Sequence, residues 1–281
     1  MARKKYSEET RQTVDSLVPL DDIMFQKLCE SKATCQEIIS TILDEPVTVV
    51  SVVPQDSIMN LQGRSVRLDC LCRLKSGIYV NVEVQKANDD DHEARVRYNA
   101  SVITANETPK NAKFRDVAQV IVIYITKFDI FRSGLPIYHV DRIVRETGEK
   151  RTDGFSEIYV NAAAKNYDNK LNSNVTALME LFTDRKTLDY EKFPEFSRRK
   201  DRFTNTEKGA HEMCEKVEQA FEQAFKQREM NNLFTYVQDG DMALRRAAKR
   251  AALTPEEFKA QMLQNGYTVP SRNRKAVARA D

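Results

Sequence analysis

Asp69 and the tripeptide Glu83-Val84-Gln85 are the residues whose types and spacing could do chemistry. They lie in two β-rich runs, Val66-Arg67-Leu68-Asp69-Cys70-Leu71-Cys72-Arg73-Leu74 and Ile78-Tyr79-Val80-Asn81-Val82-Glu83-Val84-Gln85, joined by Lys75-Ser76-Gly77. A short Gly-containing turn between such runs predicts a hairpin. Side chains alternate along a strand, so Leu68, Cys70, Cys72, Leu74, Ile78, Val80, Val82 and Val84 form an apolar core face. Arg67, Asp69, Leu71, Arg73, Tyr79, Asn81, Glu83 and Gln85 form the other face, where chemistry could reside. With the turn centred on Ser76, Leu74 faces Ile78, Asp69 faces Glu83 and Arg67 faces Gln85. Two carboxylates directly opposite, with Cβ atoms about 5 Å apart, repel one another. A hard divalent cation such as Mg²⁺ converts that repulsion into coordination. The carbonyl of Val84 could add an oxygen, and Gln85 could bond a water or phosphate beside the ion. By itself the stretch also reads as an amphipathic edge hairpin with a solvated outer face, an ordinary arrangement.

The flanking segments must position these groups. Residues 20–43 carry apolar side chains at helical spacing with a break near Ser31-Lys32, which predicts two helices, the first bearing Asp22. There Asp22 can serve as an N-cap or first-turn acid. Residues 47–54 read as a strand leading to the hairpin. Beyond Gln85, the run Asp89-Asp90-Asp91-His92 could suggest a metal cluster. Asp90 and Glu93 fit better a capping box that opens a helix to about Thr104. Arg95, Arg97 and Tyr98 lie on that helix and are candidates for phosphate contact, because Arg forks match phosphate oxygens. A solvated face of ion pairs is the alternative. Residues 118–126 are almost all aliphatic, as in a strand buried on both faces by helices. Residues 137–144 and 157–160 read as further strands, so the chain is α/β with a partly antiparallel sheet.

At these residues the chain resembles the PD-(D/E)XK nucleases. The pattern Asp69-x13-Glu83-x-Gln85 is most similar to the recombination-promoting nuclease/putative transposase branch, where glutamine replaces the final lysine. Asp22-Ile23-Met24-Phe25 resembles that branch's Asp-x-x-Phe helix, and Arg95-Val96-Arg97-Tyr98-Asn99 its Arg- and Tyr-bearing helix. Val120 to Ile125, followed by Lys127-Phe128-Asp129-Ile130-Phe131, resembles its next strand and exit. The likeness is strong over about the first half of the chain and looser beyond. Against the wider superfamily, Leu68 replaces a proline and Gln85 a lysine. The resemblance implies a restriction-endonuclease-like three-layer core and metal-dependent cleavage of DNA in recombination or transposition. Asp69, Glu83 and the Val84 carbonyl would hold Mg²⁺ or another divalent cation, and Gln85 would orient water. Asp22 would be an additional acid, and Lys86, Arg95, Arg97 and Tyr98 would steady the DNA backbone. A DNA-binding or self-associating protein that keeps the scaffold with weak or lost catalysis is the competing reading, and RNA is a further substrate to weigh.

Composition bounds the rest. A chain of 281 residues with net charge +2 can bury a full core plus a smaller module. The expected division is a nuclease-like core over 1–165 and a helical region over 166–281. Five cysteines include no CxxC pair and the three histidines lie far apart, which argues against a zinc site or a disulfide framework. Reduced thiols in a cytoplasmic protein are expected, without a membrane span or small-molecule cofactor. Residues 1–15 read as loose. Residues 208–237 carry Met213, Val217, Ala220, Phe221, Phe225, Met230 and Phe234 as a helical packing stripe, a route to homo-oligomers through the C-terminal helices. The tail reads as two short helices broken at Leu253-Thr254, with Thr254 capping and Pro255 opening the second. From Met242 onward nine Lys/Arg face three Asp/Glu, a basic end suited to nucleic-acid backbone. The stretch 271–281 reads as disordered.

Overall fold

The computed structural model describes residues 6–58, 66–164 and 173–270. Its centre is a six-stranded mixed sheet. Strands β1 (Val49–Ile58), β2 (Val66–Leu74) and β3 (Tyr79–Gln85) form an antiparallel meander. Strand β4 (Val120–Thr126) lies parallel to β3, and β8 (Phe155–Asn161) parallel to β4. Strand β5 (Ile137–Val140) closes the far edge antiparallel to β8, giving the order β1-β2-β3-β4-β8-β5. Passing from β3 to a parallel neighbour requires a crossover, supplied by helix α4 (His92–Glu107).

Because the central strands are apolar on both faces, both faces must be covered. One layer is α4, whose Val96, Ala100 and Ile103 pack with Leu71, Val122, Tyr124 and Tyr159. The opposite layer is larger. It takes Met24, Phe25 and Leu28 from α2 (Asp22–Cys29) and Ile38, Ile39 and Ile42 from α3 (Lys32–Leu43). It also takes Leu178 and Phe182 from α5 (Ser173–Thr183) and Phe196 and Phe203 from α6 (Pro194–Asn205). The result is the three-layer α/β core with a mixed sheet that the sequence implied. At about 1.5–3 kcal/mol for each large apolar side chain buried, the two layers hold the strands in a fixed register.

Several local expectations change. The polar face of the hairpin is only partly solvated: under α4, Asn81 is fully buried and Glu83 6% exposed, whereas Arg67 and Arg73 stay exposed. Val66 and Leu68 join the α4-side core, whereas Cys70, Cys72 and Leu74 face the other, so the expected alternation breaks at Asp69. Within the stretch 1–15 expected to be loose, helix α1 (Glu8–Ser16) forms, whose cap Ser7 accepts the Thr10 N–H, and residues 1–5 lie outside the described residues. The 137–144 strand divides, because β6 (Arg142–Ile143) leaves the main sheet to pair with β7 (Lys150–Arg151). The Asp90–Glu93 capping box is absent. Asp91 takes the cap position without a side-chain bond, and Asp90 adopts a left-handed φ of 58°.

Helix α7 (Glu207–Gln238) adds Met213 and Val217 to the larger layer. Its start crosses α6 so closely that a Cβ on Gly209 would lie 2.0 Å from the Arg202 carbonyl oxygen. Among the described residues, 6–58 and 66–217 make one compact unit and 218–270 a second. The core therefore does not stop at 165, since α5 and α6 belong to it. In the second unit Phe234 and Val237 of α7 pack with Ala247 and Ala248 of α8 (Leu244–Arg250) and Phe258 and Met262 of α9 (Pro255–Gln264). Thr254 caps α9 in a reciprocal box with Glu257. The stretch 271–281 lies outside the described residues. Among the described residues no helix is long and apolar enough to cross a membrane.

Candidate active site

The β2–β3 ladder runs from Arg73–Tyr79 to Cys70–Val82, so the next rung in that phase joins Asp69 and Glu83. Turn chemistry sets the phase: Leu74 and Ile78 close the loop through Leu74 N–H to the Ile78 carbonyl at 2.8 Å, with Gly77 at φ 94°. Beyond Cys70–Val82 the main-chain pairing gives out, and a side chain takes over. The Val84 N–H donates to Asp69 Oδ2 at 3.0 Å.

Glu83 is held by two amides. Asn81, two residues earlier on the same strand face, donates Nδ2 to Glu83 Oε1 at 2.8 Å. Asn99 of α4 donates Nδ2 to the same oxygen at 3.3 Å. Among the described residues, the side-chain carbonyl oxygen of Asn81 is buried with no hydrogen-bond partner. Such an orphan acceptor beside an acid pair is costly unless a donor or a cation completes it.

Electrostatics sets this pair apart from ordinary surface acids. Burial pushes the Asp69 carboxyl up to about 6; the charge of Asp22 adds to the rise, while the Val84 N–H and the Arg67 guanidinium oppose it. Burial likewise drives Glu83 well above the usual carboxylate range, and the neighbouring Asp69 charge drives it further. Two touching, desolvated carboxyls resist being ionised together, the condition that a divalent cation relieves.

Most of the remaining candidates have partners of their own. Asp22 is exposed in the first turn of α2, close enough for its charge to act on Asp69, and among the described residues it is not grouped with Asp69 and Glu83 as three oxygens mutually within 4.8 Å. Gln85 donates Nε2 to the Ala87 carbonyl at 3.0 Å and to Asp89 at 3.4 Å, bracing the loop after β3. Lys86 pairs with Asp21 at 2.5 Å. Arg95 meets Asp91 at 3.5 Å and Asp89 at 3.9 Å, both partners exposed. Arg97 is exposed, and Tyr98 packs against the α4-side core.

Three contributors have no assigned part in the sequence patterns, Asn81, Asn99 and Arg67, and a fourth, His92, figures there only as a candidate metal ligand. Asn81 and Asn99 lie within the motifs without an assigned part, and Arg67 shows in the sequence only as a member of the polar face. The polar alternation of β3 makes Asn81 a neighbour of Glu83, whereas nothing local to α4 points to Asn99. His92 is buried, with Nδ1 3.1 Å from the Tyr124 hydroxyl and Nε2 3.0 Å from Asn88 Oδ1. It pins the acidic loop to β4 and so fixes the start of α4.

Residues 19–237 match the sequence model of the PD-(D/E)XK nuclease family transposases, a stretch that takes in the sheet, both helical layers and nearly all of α7. The chain belongs to that family. No curated protein and no solved structure gives a match.

Proposed function

We propose that the protein is a metal-dependent endonuclease that hydrolyses DNA phosphodiester bonds in transposition or recombination. The observation that carries this reading is the buried Asp69–Glu83 pair, each acid with one oxygen anchored by protein N–H donors. The donor set suits a hard ion: carboxylate oxygens, the orphaned Asn81 carbonyl nearby and no nitrogen or sulfur ligand. Asp69, Glu83 and the Val84 carbonyl would hold Mg²⁺ or a similar divalent cation. When bound, such an ion lowers the pKa of a coordinated water and neutralises charge on the scissile phosphate.

The chain's own groups do the rest. Asn81 and Asn99 aim Glu83, and the Val84 N–H aims Asp69. Gln85, with its amide nitrogen committed to the loop, offers its carbonyl oxygen to orient a water. Arg95 leaves exposed aspartates at little cost, since such pairs are worth about 0–1 kcal/mol, and turns to a phosphate. Lys86, Arg97 and Tyr98 would help steady the DNA backbone, and Asp22 would serve as an additional acid. In the second unit Arg245, Arg246, Lys249 and Arg250 are all exposed on α8 and form a basic face for the DNA backbone. Phe221 and Phe225 of α7, 41% and 62% exposed, are the residues through which copies of the chain would associate.

Nicking of supercoiled plasmid in Mg²⁺ tests the reading. Asp69→Asn and Glu83→Gln should each reduce it by about three orders of magnitude, near 4 kcal/mol of barrier. Nicking that survives both substitutions refutes the assignment. One observation favours the alternative of DNA binding without cleavage: no lysine follows Glu83 at the third motif position, and the Gln85 amide is engaged by the loop. Salt-sensitive binding that ignores Mg²⁺ and both substitutions would select it.

A further inference from the structure

Four of the five cysteines meet in the larger core layer. Cys29 ends α2, Cys35 lies in the first turns of α3, and Cys70 and Cys72 project from one face of β2. Each is at most 1% exposed. The sulfurs of Cys29, Cys35 and Cys70 all lie within 4.8 Å of one another. The Cys35 and Cys70 sulfurs are 3.8 Å apart, and those of Cys70 and Cys72 3.6 Å. Cys214 stands outside the group.

Packing alone can place two sulfurs at contact distance. Three mutually close thiols from three separate elements, with a fourth beside them, are a concentration of soft ligand atoms that packing alone does not require. A tetrahedral ion with metal–sulfur bonds of about 2.3 Å has sulfur–sulfur edges of about 3.8 Å, close to the Cys35–Cys70 and Cys70–Cys72 separations, while Cys72 adjoins Cys70 but lies outside the set of three sulfurs mutually within 4.8 Å. The group is too tight for an iron–sulfur cluster, whose ligands stand on the far sides of several iron atoms. Soft thiolates also exclude Mg²⁺, so this site is chemically separate from the Asp69–Glu83 pair. A thiolate centre carries net negative charge, and a cation lies close by. Arg199 donates to the Lys27 carbonyl at 2.8 and 2.6 Å and to Glu30 at 3.0 Å, against the end of α2 that bears Cys29.

We propose that Cys29, Cys35 and Cys70, joined by Cys72 turning in from its place beside Cys70, form a structural site for one zinc ion, tying α2 and α3 to the strand that carries Asp69. Binding replaces four S–H bonds by four Zn–S bonds and releases four protons, with no change of oxidation state. Four buried protein ligands leave no open coordination position, so the site stabilises and does not catalyse. The lack of a CxxC spacing hid it: the ligands come from three elements.

The test is metal analysis of the full chain purified without chelator, beside its variants. About one zinc per chain is expected, released by a mercurial thiol reagent and kept through dialysis that removes Mg²⁺. Cys35→Ser and Cys70→Ser should lose it, whereas Cys214→Ser and Asp69→Asn should keep it. Should the cysteine variants fail to fold, wild-type protein expressed in cobalt-supplemented medium decides. The visible and near-ultraviolet bands of tetrahedral cobalt thiolate are expected. Absence of those bands together with zinc-free wild-type protein overturns the proposal. So does copper in place of zinc, or an intact mass short by two hydrogens, which would mean a disulfide.

Discussion

Asp69→Asn offers a sharper probe of the acid pair than loss of activity. The Asp69 carboxyl titrates at about 6 in the folded protein against an ordinary 3.8. Folded protein therefore keeps a proton that the unfolded chain releases, and stability falls as pH rises between those two values. Above the window the ionised form is disfavoured by about 3 kcal/mol, taking 1.36 kcal/mol for each factor of ten in the proton affinity. Asparagine keeps the oxygen that accepts the Val84 N–H but carries no charge. In chelator, Asp69→Asn should match the wild type at about pH 4 and exceed it by up to about 3 kcal/mol at about pH 8. For a unit of this size that ceiling is about 6–12 °C in melting temperature. Adding Mg²⁺ at the higher pH should raise the wild type and leave Asp69→Asn unmoved. Thermal unfolding across the pH series, followed by circular dichroism, measures both effects. A stability difference that stays flat from acid to alkaline pH would refute the picture of a strained carboxylate. So would equal stabilisation of both proteins by Mg²⁺.

Two further outcomes follow from packing and charge. Gly209→Ala sets a Cβ 2.0 Å from the Arg202 carbonyl oxygen and 2.8 Å from the Phe203 Cα, so α6 and α7 must part. A loss of about 1–3 kcal/mol is expected, read as a lower melting temperature with the α7 crossing displaced. Replacing Arg245, Arg246, Lys249 and Arg250 together by alanine should flatten the salt dependence of DNA binding. The slope of log K against log salt should fall by about 0.9 for each phosphate no longer neutralised, while low-salt nicking persists.

Much of the fold was legible because hydrophobic period and turn chemistry are local. The hairpin phase followed from Lys75-Ser76-Gly77, the doubly covered β4 from its unbroken aliphatic run, and the start of α9 from Thr254-Pro255. What stayed hidden depends on chain segments far apart in sequence. The cover that α4 gives to the polar hairpin face could not be read from the hairpin, and neither could the bond from Asn99 to Glu83. The break in alternation at Asp69 arises because β2 and β3 separate there, which no residue pattern announces. The thiol cluster draws on residues 29, 35, 70 and 72, brought together only by helices folding onto the sheet.

The bond from the Val84 N–H to Asp69 Oδ2 has a consequence for descent. At this point a side-chain oxygen completes the sheet where a main-chain carbonyl would ordinarily serve. Removing it altogether strands a buried donor at a cost of about 1–3 kcal/mol. Position 69 thus answers to architecture as well as to the reactivity proposed for it. Whatever the chain's activity, position 69 would remain bound to asparagine or a similar acceptor, and would drift to alanine only by loosening the sheet itself.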